Sequence, residues 1–445
     1  MVELNMFTKM KQTFQEFPET FWVITFSSFI DQIGGFMMMP FIAIYMTQAF
    51  GISMVEVGLV FIIVGVGNML GGMIGGALTD KIGRKICALF GLLISGLFSI
   101  GFIFIHTVTA LYILVGMMGL LGAIGGPARQ AMLADILPKE QRAEGFAILR
   151  VIVNLSATIG PALGGLLAAT NFKFIFLADA ITSFITAVIF VFKVPETKRN
   201  SDEQNVETSE NQSSVPPEKK SDRGYKEVFM DWRFMIFVFI SAIMSLVYMQ
   251  MISTLPVFLT AELGFNLNIY GLLISMNAFM VVVMQFWLTH KIKGFQALIM
   301  MAAGNILYGI GFGMYGFIGT IPLAFLAMVI ITIGEMVVAP YSQSIAANLA
   351  PEDKRGRYMA VHGWSSIFPM LFGIVGSGAI MDNMDSKILW YLSGILSIIA
   401  AIGYLFLYIT SKKYFSQSNQ EQTSTEENSR EIPIESPINT DVLAN

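Results

Sequence analysis

The sequence predicts an all-α polytopic membrane protein with twelve transmembrane helices arranged as two six-helix bundles. Three observations carry this. Of the 445 residues 55% are hydrophobic and 13% charged, where a soluble domain carries about 25% charge, and the mean hydropathy is +0.66. Apolar windows recur that are long enough for a bilayer, which takes about 20 residues per helix. The two halves are also copies. At an offset of 213 residues Pro127 falls on Pro340, Gln130 on Gln343, Ala134 on Ala347, Pro138 on Pro351, Arg142 on Arg355 and Ala147 on Ala360. Gly160 and Gly165 then meet Gly373 and Gly378, still in register.

Taken in order, spans are expected near 21–46, 54–78, 86–106, 109–134, 145–169 and 172–193, then near 234–260, 266–290, 295–317, 319–348, 357–381 and 387–411. The first is too long for a signal-peptide core and lacks a small-residue cleavage site after it, so it is read as a retained helix. Between the sets lies a Ser-, Asn-, Glu-, Lys- and Pro-rich stretch with almost nothing to bury, as disordered linkers have. The expected organisation is an N-terminal bundle (1–196), a disordered cytoplasmic linker (197–226), a C-terminal bundle (227–411) and a disordered cytoplasmic tail (412–445). Orientation follows from basic residues. With the N-terminus inside, 23 of the 27 Lys and Arg fall in inner segments, and only Lys173 and Lys387 lie outside. Both termini are therefore expected in the cytoplasm of a cell-membrane protein.

Several classes of activity find no support. Cys87 stands alone, and His106, His290 and His362 are scattered, so neither an internal disulfide nor a metal site is expected. There is no G-x-x-x-x-G-K-[ST] loop and no Ser/His/Asp grouping, and the linker is too short for a nucleotide-binding domain. No enzyme activity, cofactor or nucleic-acid partner is expected, and nothing calls for more than a monomer.

The segment "GALTDKIGRK" (76–85) resembles the signature loop of the major facilitator superfamily, G-x-L-x-D-x-x-G-R-K/R, at Gly76, Leu78, Asp80, Gly83, Arg84 and Lys85. Locally, Gly76 permits close helix contact, Gly83 a tight turn, and Asp80 can face a helix N-terminus or a cation. The resemblance implies a cytoplasmic latch that holds an outward-open state, with Asp80 capping helix 11 and Arg84 paired with an acid on helix 4, here Asp135. "SATIGPALGG" (156–165) resembles the helix 5 motif of drug–proton antiporters at Gly160, Pro161, Gly164 and Gly165, with Ser156 in place of a glycine. Ser156, Gly160 and Gly164 form a small-residue face for close packing, and Pro161 a kink. Exporters of this group place an arginine mid-helix 4 with Gln-Gly three residues on. Here Arg129 precedes Gln130 directly and lies nearer the inner end, as a snorkelling charge or a partner for Asp135.

Asp31 lies ten residues past Phe21, roughly 15 Å into the first span. An ionised carboxylate there costs about 2.5–3.5 kcal/mol on insertion scales, and such residues mark function by default. Glu335 is about as deep in helix 10. The resemblance implies that helices 1, 4, 7 and 10 line a central cavity, so each half contributes one cavity acid where protons and a cationic substrate would compete. A structural acid satisfied by Gln32, Asn68 or Tyr341 is the plainer alternative. Asp179, nearer the outer interface, is a third candidate. Gln32, Arg129, Tyr248, Gln250 and Tyr341 are possible cavity residues, in a chain whose 30 Met and 37 Phe give adaptable surfaces. With no basic clamp central in the spans, phosphates and dicarboxylates fit less well than lipophilic or cationic compounds. The reading is a secondary transporter exchanging protons for such small molecules across the bilayer, with a dedicated carrier for one metabolite or lipid-linked substrate as alternative.

Overall fold

The computed structural model describes residues 16–138, 141–197, 225–292, 294–351 and 354–430. They form twelve helices long and apolar enough to cross a membrane: α1 (Glu19–Phe50), α2 (Met54–Ile82), α3 (Arg84–Phe104), α4 (Val108–Ile136), α5 (Glu144–Thr170), α6 (Phe172–Lys193), α7 (Trp232–Ser253), α8 (Leu267–Ile292), α9 (Ala297–Phe317), α10 (Ile321–Ala346), α11 (Gly356–Asn383) and α12 (Lys387–Thr410). Every expected span is present, and no strand occurs among the described residues.

Local chemistry sets the ends. Gly51, at φ 64°, closes α1 in the left-handed region. Ser53 and Glu56 then form a reciprocal capping box that starts α2. Asn171 caps α6 and Asp231 caps α7. Regular α7 ends at Ser253 rather than near 260, because Pro256 lacks an N–H; the chain continues through Leu255–Val257 into a π-helical turn, Phe258–Glu262. At the other end, the helix of α12 runs on to Arg430, where a disordered tail was expected from residue 412. Its Lys, Gln, Glu and Arg favour helix, so a span already nucleated can extend. Linker residues 198–224 and tail residues 431–445 lie outside the described residues.

Within the N-terminal half α1 packs on α5 and α6, α3 on α6, and α2 on α4; in the other, α9 packs on α10 and α12. Glycine makes the tightest approaches. A Cβ on Gly71 would stand 2.0 Å from the Leu120 carbonyl oxygen of α4. Gly76, expected to serve close contact, instead faces open space.

The halves meet through α5 with α8 and α2 with α11, and at one end they are sealed. The amides of Met54 and Val55 each donate to the Asp382 carboxylate at 2.9 Å. A Cβ on Gly271 would lie 2.3 Å from the Pro161 oxygen and 3.1 Å from Gly165 Cα. Phe41 meets Tyr270 edge-on at 5.6 Å. This is the end expected outside from the charge count. Along α11, α2 packs on the stretch from Pro369 to Asn383. Its contact with the preceding stretch, Arg355–Phe368, is slight at most.

Candidate transport site

In the N-terminal half the expected acid is held by a base. Arg129 of α4 donates through Nη1 to Asp31 Oδ2 at 2.7 Å, and Ser183 Oγ of α6 donates to Oδ1 at 3.0 Å. The pair is part-buried, with 15% of the Asp31 side chain and 30% of the Arg129 side chain exposed. Arg129 is thus neither a snorkelling charge nor the partner of Asp135. Asp179 is 3% exposed and accepts from Ser99 Oγ of α3. It touches Gly34, one turn along α1 from Asp31. Asp31, Arg129, Asp179, Ser99 and Ser183 therefore form one polar cluster across α1, α3, α4 and α6.

The C-terminal half presents a different arrangement on the equivalent helix pair. Glu335 of α10 accepts from the Tyr248 hydroxyl of α7 at 3.0 Å and from Asn277 Nδ2 of α8 at 2.8 Å. Asn277 also reaches Thr332 Oγ1 at 3.0 Å. Tyr308 stands beside Tyr248, with ring centroids 6.2 Å apart. Both donors are neutral, and no basic side chain contacts Glu335 among the described residues. A carboxylate beside two aromatic rings, without a resident counter-ion, can receive a proton or an organic cation.

Two expected cavity residues are spent on nearby backbone. Gln250 is fully buried and bonds its own helix, donating to the Leu246 carbonyl and accepting from Thr254. Tyr341 donates to the Ile292 carbonyl at 2.6 Å, at the inner end of α8. Gln32 is half-buried and has no partner among the described residues. Sequence reasoning missed Ser99, Ser183 and Asn277. Asn277 carried a usable signal, an amide deep within an apolar span, whereas serines are too common in membrane helices to stand out.

At the inner end Arg84 pairs with Asp135, as expected. Asp80 is exposed and makes no bond to α11 among the described residues. A latch that holds the outward-open state would be apart if the sealed end is the outer one, as the charge count leads one to expect. The acid at a helix N-terminus is instead Glu196, beyond α6. It accepts from the Arg84 and Lys85 amides at 2.9 and 3.1 Å and so caps α3. Gly83, at φ 120°, makes the turn that brings them together. Lys85 Nζ donates to the Val191 carbonyl at 2.9 Å. Glu196→Ala is expected to lower stability by about 0.5–2 kcal/mol, the range for a lost cap, read as a fall in melting temperature in detergent.

The helix 5 motif serves two contacts. Ser156, Gly160 and Gly164 face α1: Ser156 Oγ donates to the Phe29 carbonyl, and Cβ atoms on Gly160 and Gly164 would collide with Phe36 and with the Met37 carbonyl. Pro161 and Gly165 face α8, across the junction between the halves.

Two duplicated six-helix bundles, joined at one end and carrying membrane carboxylates on matching helix pairs, define a multi-pass membrane transporter. The model of the Major Facilitator Superfamily matches residues 24–366, and the chain belongs to that family. It is 27% identical over 410 residues to the MFS-type transporter YttB of Bacillus subtilis (strain 168), covering 91% of this chain and 98% of that one. A Na(+), Li(+), K(+)/H(+) antiporter of Planococcus maritimus is 24% identical, covering 73% of this chain and 80% of the relative. Multidrug resistance protein MdtH of Salmonella paratyphi B is 23% identical, covering 84% and 91%. Among solved structures, a POT family transporter in complex with 5-aminolevulinic acid superposes with a TM-score of 0.70 at 16% identity, covering 89% of this chain and 96% of that one.

Proposed function

We propose that this protein is a proton-coupled exporter of lipophilic, cationic or neutral compounds, working by alternating access with both termini and the linker in the cytoplasm. The observation that carries the reading is the pair of unlike carboxylate sites, Asp31 with Arg129 and Ser183 on one side and Glu335 with Tyr248 and Asn277 on the other. Protonating Asp31 would release Arg129 and loosen α1 from α4. At Glu335 a proton and a substrate cation would exclude each other, which is what exchange requires. The names of two relatives, a multidrug resistance protein and a cation/H(+) antiporter, agree with exchange. The Asp31–Asp179 cluster with its hydroxyls supports a second reading, a dedicated exchanger of an inorganic cation.

The test uses inside-out vesicles energised by a proton gradient. Wild type should accumulate ethidium and Hoechst and lose this with an uncoupler. Glu335→Gln should raise the KM for ethidium at least about tenfold, the loss of about 1.4 kcal/mol of binding, and change the KM of a neutral dye less. If wild type moves no dye but releases protons on addition of Na⁺ or K⁺, the second reading replaces the first.

A further inference from the structure

We infer that the groove between α7, α11 and α12 is a seat for one acyl chain of an outer-leaflet phospholipid. The groove encloses about 530 Å³ and is walled by Phe239 and Leu246 of α7, Phe372 and Gly376 of α11, and Leu392 and Leu396 of α12. Its hydroxyls are spent on their own helices: Ser377 donates to the Ile374 carbonyl and Ser393 to the Leu389 carbonyl. Such a wall recognises hydrocarbon and nothing polar.

The shape follows from α11. At Pro369 the missing N–H opens a π-helical turn, Pro369–Gly373, and Gly373 and Gly376 leave the wall beyond it without side chains. On α11 the lining runs from Phe368 to Ile380, roughly 18 Å at 1.5 Å per residue. One leaflet's hydrocarbon is roughly 15 Å deep, half of a 30 Å core. The groove spans that depth, from the middle of the bilayer to the outer ends of α11 and α12. At its mouth α12 begins with Lys387, exposed and one of the two basic residues assigned to the outer side. A lysine there complements a lipid phosphate. The corresponding face of the other half supplies a comparison. Phe26 and Ile30, which match Phe239 and Ile243 at the 213-residue offset, line a groove of about 500 Å³ that ends instead at Lys193, the inner end of α6. The inference rests on the membrane placement of the spans and is independent of the transported substrate.

The full chain in nanodiscs of phosphatidylethanolamine and phosphatidylglycerol, doped with phosphatidylcholine bearing a diazirine at one acyl terminus, tests this by irradiation and peptide mapping. Adducts should concentrate at the deep end of the groove, on residues 368–373 and 392–396. A Cβ on Gly376 meets nothing within 4 Å, so Gly376→Phe fills the groove without disturbing the fold. It should cut those adducts at least about fivefold while leaving labelling of the α1–α6 face unchanged. Leu396→Trp, from the opposite wall, should do the same. Adducts spread evenly around the belt, or unaffected by both variants, would overturn the assignment. So would their displacement by saturating Hoechst, which would give the groove to the substrate.

Discussion

Asp31→Asn is expected to reduce proton-driven dye accumulation to background, and Arg129→Gln to do the same, whereas stability should respond in a different pattern. Each single change leaves one charge of the pair without its partner within the span. On insertion scales such a charge costs about 2.5–3.5 kcal/mol, reduced here because the Arg129 side chain is 30% exposed. Each single variant should therefore melt at a lower temperature than wild type. The double variant removes both charges and should recover much of that loss, with a coupling energy of about 0.5–3 kcal/mol, the range for residues in direct contact. Transport should not recover, because the group proposed to take the proton is gone. Melting losses that simply add would show that the 2.7 Å contact is energetically idle and would remove it from the mechanism.

Gly271→Leu should stop transport for an unrelated reason. At this position α8 crosses α5 so closely that even a methyl would meet the Pro161 oxygen at 2.3 Å, with Gly165 Cα behind it at 3.1 Å. Backbone oxygens within a helix cannot yield as a side-chain tip can. The contact joins the two bundles, so each should still fold while the outer seal cannot close. Transport is expected to fall at least about a hundredfold, corresponding to about 2.7 kcal/mol against the sealed state. Since Cys87 is buried, a reporter Leu267→Cys, whose backbone lies against Gly165 at this crossing, can be read in a nearly silent background. Its labelling by a membrane-impermeant maleimide should rise in Gly271→Leu. Unchanged labelling with normal transport would mean that the seal does not use this crossing.

How much of this was legible in the sequence depended on whether a contact is local. The spans follow from hydropathy, and the helix starts at Ser53, Asn171 and Asp231 follow from side chains within three residues of the amides they satisfy. Arg84 with Asp135 was legible through a family pattern. The partner of Arg129 was not, because Asp31 lies 98 residues away and only the packing of α1 against α4 decides it. The place of Asp179 along α6 alone puts it close to the outer interface. Against Gly34 it is enclosed by three helices, a property of side-by-side arrangement that a linear reading lacks. Gln250 and Tyr341 show the converse: a polar residue in a span can be consumed by a nearby backbone carbonyl and contribute nothing to a cavity.

On the proposed mechanism, the unlike company of the two acids would make the carrier sensitive to voltage. Asp31 is neutralised by Arg129 as a unit, so the membrane potential does little work on that pair when the halves rock. Glu335, bonded to a phenol and an amide, carries an unbalanced charge whenever it is ionised, and moving one charge through the field is worth about 2.3 kcal/mol per 100 mV. A proton or a monovalent cation on Glu335 cancels that charge. The potential across the membrane would therefore act on the empty carrier through Glu335, and through Asp179 whenever it too is ionised, and imposing a voltage on vesicles should change the rate of the unloaded return step more than that of the loaded one.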